Sequence, residues 1–185
     1  MFEGMDKAGK TTQRDHFRAL PWADPAPQFV HMPSGLTPLT TDMYRVLESV
    51  KPQSELARQL LHLACHAENV PAIRQQRQQS AVVLDRFWWS TVAYGWHGGR
   101  IGDSGLGWDA FMSLIDSIWA GLTPDLVFLF MNAYKNDSNN SGAVEAGYRE
   151  LADEFSDTTV FVPRLSAADT SNFVYDELVR RGLAA

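Results

Sequence analysis

Cysteine is almost absent: Cys65 is the only one among 185 residues. That excludes an intramolecular disulfide framework and a cysteine-built zinc site, and it makes a reducing, cytoplasmic compartment the expected one. Cys65 itself reads as a small buried hydrophobe. Basic residues are scarce as well, 16 Lys and Arg against 22 Asp and Glu, for a formal charge of −6. Polymeric nucleic acid and anionic membrane surfaces are therefore not expected partners, and any anion site must be a focused one. Long apolar runs are missing too. The strongest, residues 126–131, is far too short to cross a bilayer, and the opening residues do not read as a charged-then-apolar leader. No internal repeat or long linker divides the chain. A single domain over residues 1–185 is expected, and 45% hydrophobic residues are enough for a substantial core.

What is present is an alternation of short apolar runs and helix-like stretches. Phe2 and Glu3 read as a strand end, 4–9 as a loop, and 10–20 as a helix halted by the proline-rich 21–27 segment. Residues 28–31 suit a second strand, followed by a turn at Pro33, Ser34 and Gly35 and a helix over 42–49. A longer helix is predicted over 54–78, with Pro71 expected to kink or split it. The valine-rich run 81–84 suits a parallel strand covered on both faces, with Asp85 at its carboxyl end. Residues 108–120 have helical apolar spacing, Pro124 breaks the chain, and 126–131 reads as another buried strand. The Asn-, Ser- and Gly-rich 132–142 segment is expected to be a mobile, lid-like loop. A helix over 144–155, a strand over 158–162 and a helix over 172–181 complete the pattern. The expected class is α/β: a parallel sheet of about five strands with helices on both faces, in three layers.

Gly4-Met5-Asp6-Lys7-Ala8-Gly9-Lys10-Thr11 satisfies G-x-x-x-x-G-K-[ST] between a strand end and a helix start, where the motif has physical meaning. Glycines let the backbone wrap phosphate oxygens, and the N–H groups at the helix start face the anion. Gly4 to Thr12, Thr12 included, is thus a site for ATP. Lys10 is placed to reach the β- and γ-phosphates and Thr11 to put its hydroxyl on Mg²⁺. Only Met1 and Phe2 precede Glu3, so the strand before the loop is expected to be ragged and exposed. Two readings of that shortness stay open, a start that omits upstream residues or a central strand cut short.

A second motif, Asp85-Arg-Phe-Trp-Trp-Ser90-Thr-Val-Ala-Tyr94, follows the valine run. Together with residues 2–13 it resembles the thymidylate kinase family, whose phosphate loop reads F-E-G-x-D-x-x-G-K-T-T-Q and whose later motif reads D-R-[YF]-x-x-S-x-x-A-Y. Weaker similarity runs through 33–45, 60–70 and 124–126. The resemblance implies a P-loop kinase that moves a phosphoryl group from ATP, with Mg²⁺, to a small-molecule acceptor, a dTMP-like deoxynucleoside monophosphate. It also implies a homodimer. An Asp at a strand terminus beside a phosphate loop organises Mg²⁺ or its waters, which suits Asp85. Arg86 offers a planar fork for the acceptor phosphate. By similarity, Tyr94 packs on the deoxyribose, with a core aromatic as the alternative, and Asp6 lies near the acceptor 3′-hydroxyl or the transfer centre. Lys7 is a candidate to stabilise the transferring group in cis, because the lid segment holds only Lys135.

The resemblance departs where the base is read. The family's stacking phenylalanine and the arginine four residues on fall at His62 and His66, which share a helix face; two surface histidines are the alternative. The family's F-P-x-R appears as Met32-Pro33-Ser34-Gly35, so the arginine that grips the acceptor phosphate is missing, with Arg45 and Arg100 as candidate substitutes. Thr91 stands where an Asn or Ser often meets the base edge, and Gly95 where a glutamine is usual. A kinase for a modified or different deoxynucleotide or nucleoside, and a nucleotide-binding protein with weak or no turnover, stay open beside the main reading. A GTPase is disfavoured, since residues 132–137 only superficially resemble the guanine-reading N-K-x-D.

Overall fold

The structure, a computed structural model, describes residues 1–50, 52–99 and 101–184. Its strands are Phe2–Gly4 (β1), Gln28–His31 (β2), Val82–Asp85 (β3), Val127–Phe130 (β4) and Thr159–Phe161 (β5). All pair in parallel, in the order β2-β3-β1-β4-β5. The helices are Lys10–Arg18 (α1), Pro38–Ser49 (α2), Glu55–Arg77 (α3), Trp88–Ser90 (α4), Trp108–Trp119 (α5), Gly142–Glu154 (α6) and Ala167–Arg180 (α7). They flank the sheet as outer layers: α1 packs on β1 and β3 and against α7, while α3 packs on β3 and against α5. The expected α/β architecture is the one found. Among the described residues no helix is long and apolar enough to cross a membrane.

The first strand is not ragged. All three residues of β1 are buried in the middle of the sheet. Phe2 anchors it, its ring meeting Phe17, Phe128 and Phe130 at centroid distances of 6.1, 5.9 and 5.7 Å. Backbone pairing extends past the strand, with the Phe128 amide donating to the Met1 carbonyl at 2.8 Å. Aromatic burial on both sides thus does for a short strand what length does elsewhere.

Helix boundaries differ from expectation where a cap was overlooked. α2 begins at Pro38 because Thr37 accepts from the Thr40 amide and Thr40 returns a bond to the Thr37 amide, with proline at the first helical position. α7 begins at Ala167 because Ser166 accepts from the Asp169 amide at 3.2 Å. Pro71 does not split α3, which is continuous over 23 residues. Pro71 and Ala67, whose carbonyl loses its helical donor to the proline, both lie on its exposed side rather than in the core.

Candidate active site

The carboxyl ends of the parallel strands gather the motif residues along one edge, the place where open α/β sheets bind ligands. Gly4 ends β1 with φ of 125°, and a Cβ there would collide with the Phe130 backbone, so only glycine lets β1 and β4 approach. Gly9, left-handed at φ of 98°, opens α1 without any side-chain cap. The loop between is tied down by the Met5 amide donating to the Phe130 carbonyl at 2.8 Å. Ala8 is buried within the loop, whereas Lys7 is exposed and left-handed, at φ of 60°. Lys10 lies beneath, 5% exposed, with Nζ donating to the carbonyls of Gly4 at 2.9 Å and Met5 at 2.6 Å. Burial above all, and then the nearby Arg86 guanidinium, lower its pKa to about 7.

Thr11 and Asp85 meet as expected, the Thr11 hydroxyl donating to Asp85 Oδ2 at 3.2 Å. A hydroxyl and a carboxylate this close are hard oxygen donors suited to a magnesium ion that takes its remaining ligands from phosphate and water. Among the described residues no group of three His, Cys, Asp or Glu able to hold a metal occurs. A third member, not expected from the motifs, joins them: Arg14 Nη1 donates to the same Oδ2 at 3.1 Å. Thr12 is exposed on the outer side of the first turn of α1.

Arg86, at φ of 73°, turns its guanidinium across the loop to form an ion pair with Asp6. Its Nη1 donates to Ser90 Oγ at 2.8 Å, and the group lies 5.6 Å from the centre of the Tyr94 ring. Burial pulls its pKa down, but the surrounding oxygens of Tyr148, Asp6 and Glu3 outweigh this and hold it firmly charged. Behind it stands Glu3, fully buried. Its carboxylate accepts from the amides of Phe87 at 2.6 Å and Ser90 at 3.1 Å, from the Ser90 hydroxyl at 2.7 Å and from the Tyr148 hydroxyl at 3.2 Å. α4 has no side-chain cap of its own. Glu3 supplies one from a neighbouring strand, so the segment carrying Arg86 is aligned by the strand carrying the phosphate loop. Past Ser90 the chain continues as a π-helical turn, Thr91–His97, a rarity often found at functional sites.

Next to this pair opens a cavity of about 550 Å³ lined by Asp6, His62, His66, Arg86, Thr91 and Tyr94, all of them among the residues expected for the acceptor. The two histidines are not surface residues. Burial lowers His62 to about 4, helped by Arg58, and His66 to about 3, helped by His62, so both rings are neutral near pH 7. Arg45 does not reach the cavity. It is exposed on α2 and pairs with Asp42 one turn back, because its position faces away from α3. Arg100 lies outside the described residues. Among the described residues the cations that line the cavity are Arg86 and Arg58. Arg58 and Gln59 were missed, although Glu55, Gln59, His62 and His66 make a polar stripe at helical spacing on α3. Another cavity, about 450 Å³, lies among Met1, Val82 and Leu126 at the opposite end of the strands and holds none of the expected site residues.

Hydrogen bonds hold the 132–142 segment near both of its ends. The Tyr134 amide donates to the Lys7 carbonyl at 3.0 Å and its hydroxyl to the Leu165 carbonyl at 2.6 Å, while Arg164 lies over its half-exposed ring at 5.3 Å. At the other end Asn140 accepts from the Asp6 amide at 2.9 Å and from the Tyr94 hydroxyl at 2.8 Å, and donates to the Asp6 carbonyl at 2.8 Å. One asparagine therefore joins the loop, the phosphate loop and the cavity wall.

The family model for thymidylate kinase matches residues 2–152. The chain belongs to the thymidylate kinase family. A thymidylate kinase of Prochlorococcus marinus is 33% identical over 143 residues, 70% of this chain and 61% of that protein, and one of Chlorobium chlorochromatii is 34% identical over 134 residues, 69% of this chain and 56% of that protein. The matched region thus spans about three fifths of the length of these relatives. The crystal structure of a thymidylate kinase from Ehrlichia chaffeensis, 22% identical, superposes with a TM-score of 0.79 over 96% of each chain and shares the fold.

The absence of an arginine at position 35 has a structural reason. Gly35 sits at φ of 43°, and a Cβ would run into the Asn69 side chain. That amide accepts from the Leu36 amide at 2.9 Å and the Thr40 hydroxyl at 3.2 Å and donates to the Pro33 carbonyl at 3.0 Å. The turn is closed by Asn69, and a side chain at 35 would have to displace its amide. Gly95 is similar: a Cβ there would meet the Gln59 amide, so the glutamine absent from the π-turn is matched by one arriving from α3.

Proposed function

We propose that this chain transfers the terminal phosphoryl group of ATP to a deoxynucleoside monophosphate, dTMP first among them, to give dTDP. The observation that carries the reading is Arg86. Held by the Glu3 and Ser90 network, it stands between the phosphate loop and the 550 Å³ cavity, paired with an Asp6 that belongs to both. A cation there braces two phosphates brought end to end. In this reading Gly4, Met5, Asp6, Lys7, Ala8, Gly9, Lys10, Thr11 and Thr12 hold the ATP phosphates, and Lys10 leaves the two carbonyls for the β- and γ-oxygens. Arg86 exchanges part of its bond to Asp6 for the acceptor phosphate, with Arg58 the second cation in reach of the cavity. Asp6, freed on one side, orients the attacking oxygen, Tyr94 packs on the sugar, and Lys7 is positioned to spread charge on the group in transfer. Thr11 and Asp85 would hold magnesium, which when bound neutralises charge on the phosphate oxygens. The half-exposed Tyr134 with Arg164 offers a stacking surface beside the phosphate loop for the donor base. The 132–142 loop excludes water from the transfer.

ADP release measured against dTMP, dUMP, dCMP, dGMP and the matching nucleosides tests the reading. Turnover with dTMP well above the nucleosides is expected. ATP binding with no ADP formed on any acceptor would leave a nucleotide-binding protein instead, and preference for another nucleotide would follow from the changed residues His62, His66 and Gly35.

Because Arg14 shares an oxygen of Asp85, it opposes metal binding there. Arg14→Met is expected to tighten Mn²⁺ binding to the ADP complex several-fold, read by electron paramagnetic resonance, and to lower the Mg²⁺ concentration for half-maximal turnover. Unchanged Mn²⁺ affinity would show that Asp85 carries no metal. The homodimer is likewise a proposal. It is supported by exposed Leu39 and Val46 on α2, Val50 just past its end, and Leu60 on α3. Sedimentation at micromolar concentration checks it.

A further inference from the structure

Two different sets of bonds hold the phosphate loop, and they divide it between Met5 and Asp6. The carbonyls of Gly4 and Met5 accept from the Lys10 ammonium at 2.9 and 2.6 Å. Those of Asp6 and Lys7 accept from the 132–142 segment, through Asn140 Nδ2 at 2.8 Å and the Tyr134 amide at 3.0 Å. The Asp6 amide is held as well, donating to Asn140 Oδ1 at 2.9 Å and to the Tyr94 hydroxyl at 2.7 Å, and that hydroxyl donates in turn to Asn140 Oδ1 at 2.8 Å. The orientation of the Asn140 amide follows from its partners. A backbone N–H only donates and a carbonyl only accepts, so the oxygen faces the Asp6 amide and the NH₂ group faces the Asp6 carbonyl. Among short side chains only asparagine places an oxygen with two lone pairs beside an N–H.

Asn140 is itself fixed from both sides. Its backbone amide donates to the Asp137 carbonyl at 3.1 Å, and the Asp137 carboxylate accepts from the Asn139 amide at 2.9 Å. The next residue, Ser141, caps α6 by accepting from the Val144 amide at 3.3 Å. Further along α6 the Tyr148 hydroxyl lies 2.9 Å from Ser90 Oγ and donates to Glu3 at 3.2 Å. One helix and the residue before its cap thus tie the backbone of Asp6 to the groups that hold Arg86, the ion-pair partner of Asp6.

We propose that Asn140 is a positioning residue for phosphoryl transfer: it fixes the backbone of residue 6, so that the Asp6 carboxylate and the Arg86 guanidinium keep their places once Lys10 has left the loop for the ATP phosphates. This rests on the mechanism proposed above, in which Lys10 gives up the carbonyls of Gly4 and Met5. The bonds of Asn140 and Tyr134 are then the ones that still shape the acceptor side of the loop. Asn140 acts through Asp6 and not on either nucleotide. Its loss falls on the transfer step more than on binding, because a misplacement of about 1 Å in an orienting group costs about 10²-fold in rate.

Asn140→Asp is the decisive variant, since it keeps the size and one oxygen and loses only the N–H. Ionised, its carboxylate sets an acceptor against the Asp6 carbonyl; protonated, it carries an O–H where the N–H was. At pH 8 its kcat with ATP and dTMP is expected about 10–10²-fold below wild type, with both KM values within about threefold. The ratio of variant to wild-type kcat should then climb as pH falls from about 8 to about 5.5, as the new carboxyl takes up its proton. Asp6, Lys7 and Arg86, Tyr94 on the π-helical turn, Asp137 in the segment and Glu145 in the first turn of α6 surround this position, and both chains share them. Asn140→Ala should lose a similar factor at every pH. A kcat within about twofold of wild type in both variants overturns the proposal, as does a loss confined to KM or a ratio for Asn140→Asp that stays flat with pH. A second measurement needs no turnover. The Arg86 guanidinium protons, held by Asp6 and Ser90, should exchange with water about tenfold faster in Asn140→Ala than in wild type, read by nuclear magnetic resonance. If the wild-type chain forms no ADP with any acceptor, the kinase reading fails. The Arg86 protons then decide alone, and equal exchange in the two chains would overturn the Asn140 inference separately.

Discussion

Lys10→Ala is expected to lower kcat by about 10²–10³-fold, the effect of removing one preorganised charge from a transition state. ATP affinity should fall as well, because among the described residues the ammonium is the one cation buried under the loop. The pH dependence separates this from general damage. Lys10 is lowered to about 7 by burial and by Arg86, so at pH 8 most of it is neutral. A bound phosphate favours the charged form and raises that pKa, so binding above pH 7 takes up a proton and ATP affinity declines as pH rises. Calorimetry at pH 8 in two buffers of different ionisation heat should find uptake approaching one proton for the wild-type chain and none for Lys10→Ala. Near-normal turnover in the variant, or equal proton uptake in both, would overturn the assignment of Lys10.

The largest loss of stability is expected at Glu3, a residue that touches no ligand in the proposed mechanism. Glu3→Ala leaves the Phe87 and Ser90 amides without acceptors and deprives the buried Arg86 guanidinium of a nearby negative charge. Breaking a buried, hydrogen-bonded charge network from one side costs about 3–5 kcal/mol. For a chain of this length that corresponds to roughly 10 °C in Tm. Glu3→Gln keeps an acceptor for the two amides but turns an NH₂ group toward the Ser90 and Tyr148 hydroxyls, so a smaller loss is expected. Thermal unfolding of both variants, with Tyr148→Phe for comparison, checks this; a shift for Glu3→Ala of only a degree or two would refute the capping role of its carboxylate.

Much of this architecture was legible because it is local. The valine run of β3, the four apolar residues of β4 and the glycines of the phosphate loop announce themselves within a few positions, and each was found where its spacing put it. Helix starts were misjudged where capping residues, Thr37 and Ser166, lay several positions before the expected starts at 42 and 172. The site was legible in its types more than in its partnerships. Asp6, Arg86, Thr91, Tyr94, His62 and His66 do surround one cavity. Arg45 failed because an available cation was assigned without knowing which way α2 faces. The bonds from Glu3 to Phe87, Arg14 to Asp85 and Asn140 to Asp6 join residues 71 to 134 positions apart, and no spacing rule reaches that far. The polar composition that suggested a mobile loop also supplies Asn140, which bonds the phosphate loop and Tyr94.

The closed turn at Gly35 makes two positions behave as one. An arginine introduced there meets both a backbone angle that side chains avoid and the Asn69 amide, which already serves three partners. Changing Asn69 alone would strip those bonds from the turn and give the phosphate nothing in return. Each single step is a loss, so the two sites are epistatic, and a route to an arginine-gripped acceptor must pass through Asn69 and Gly35 together.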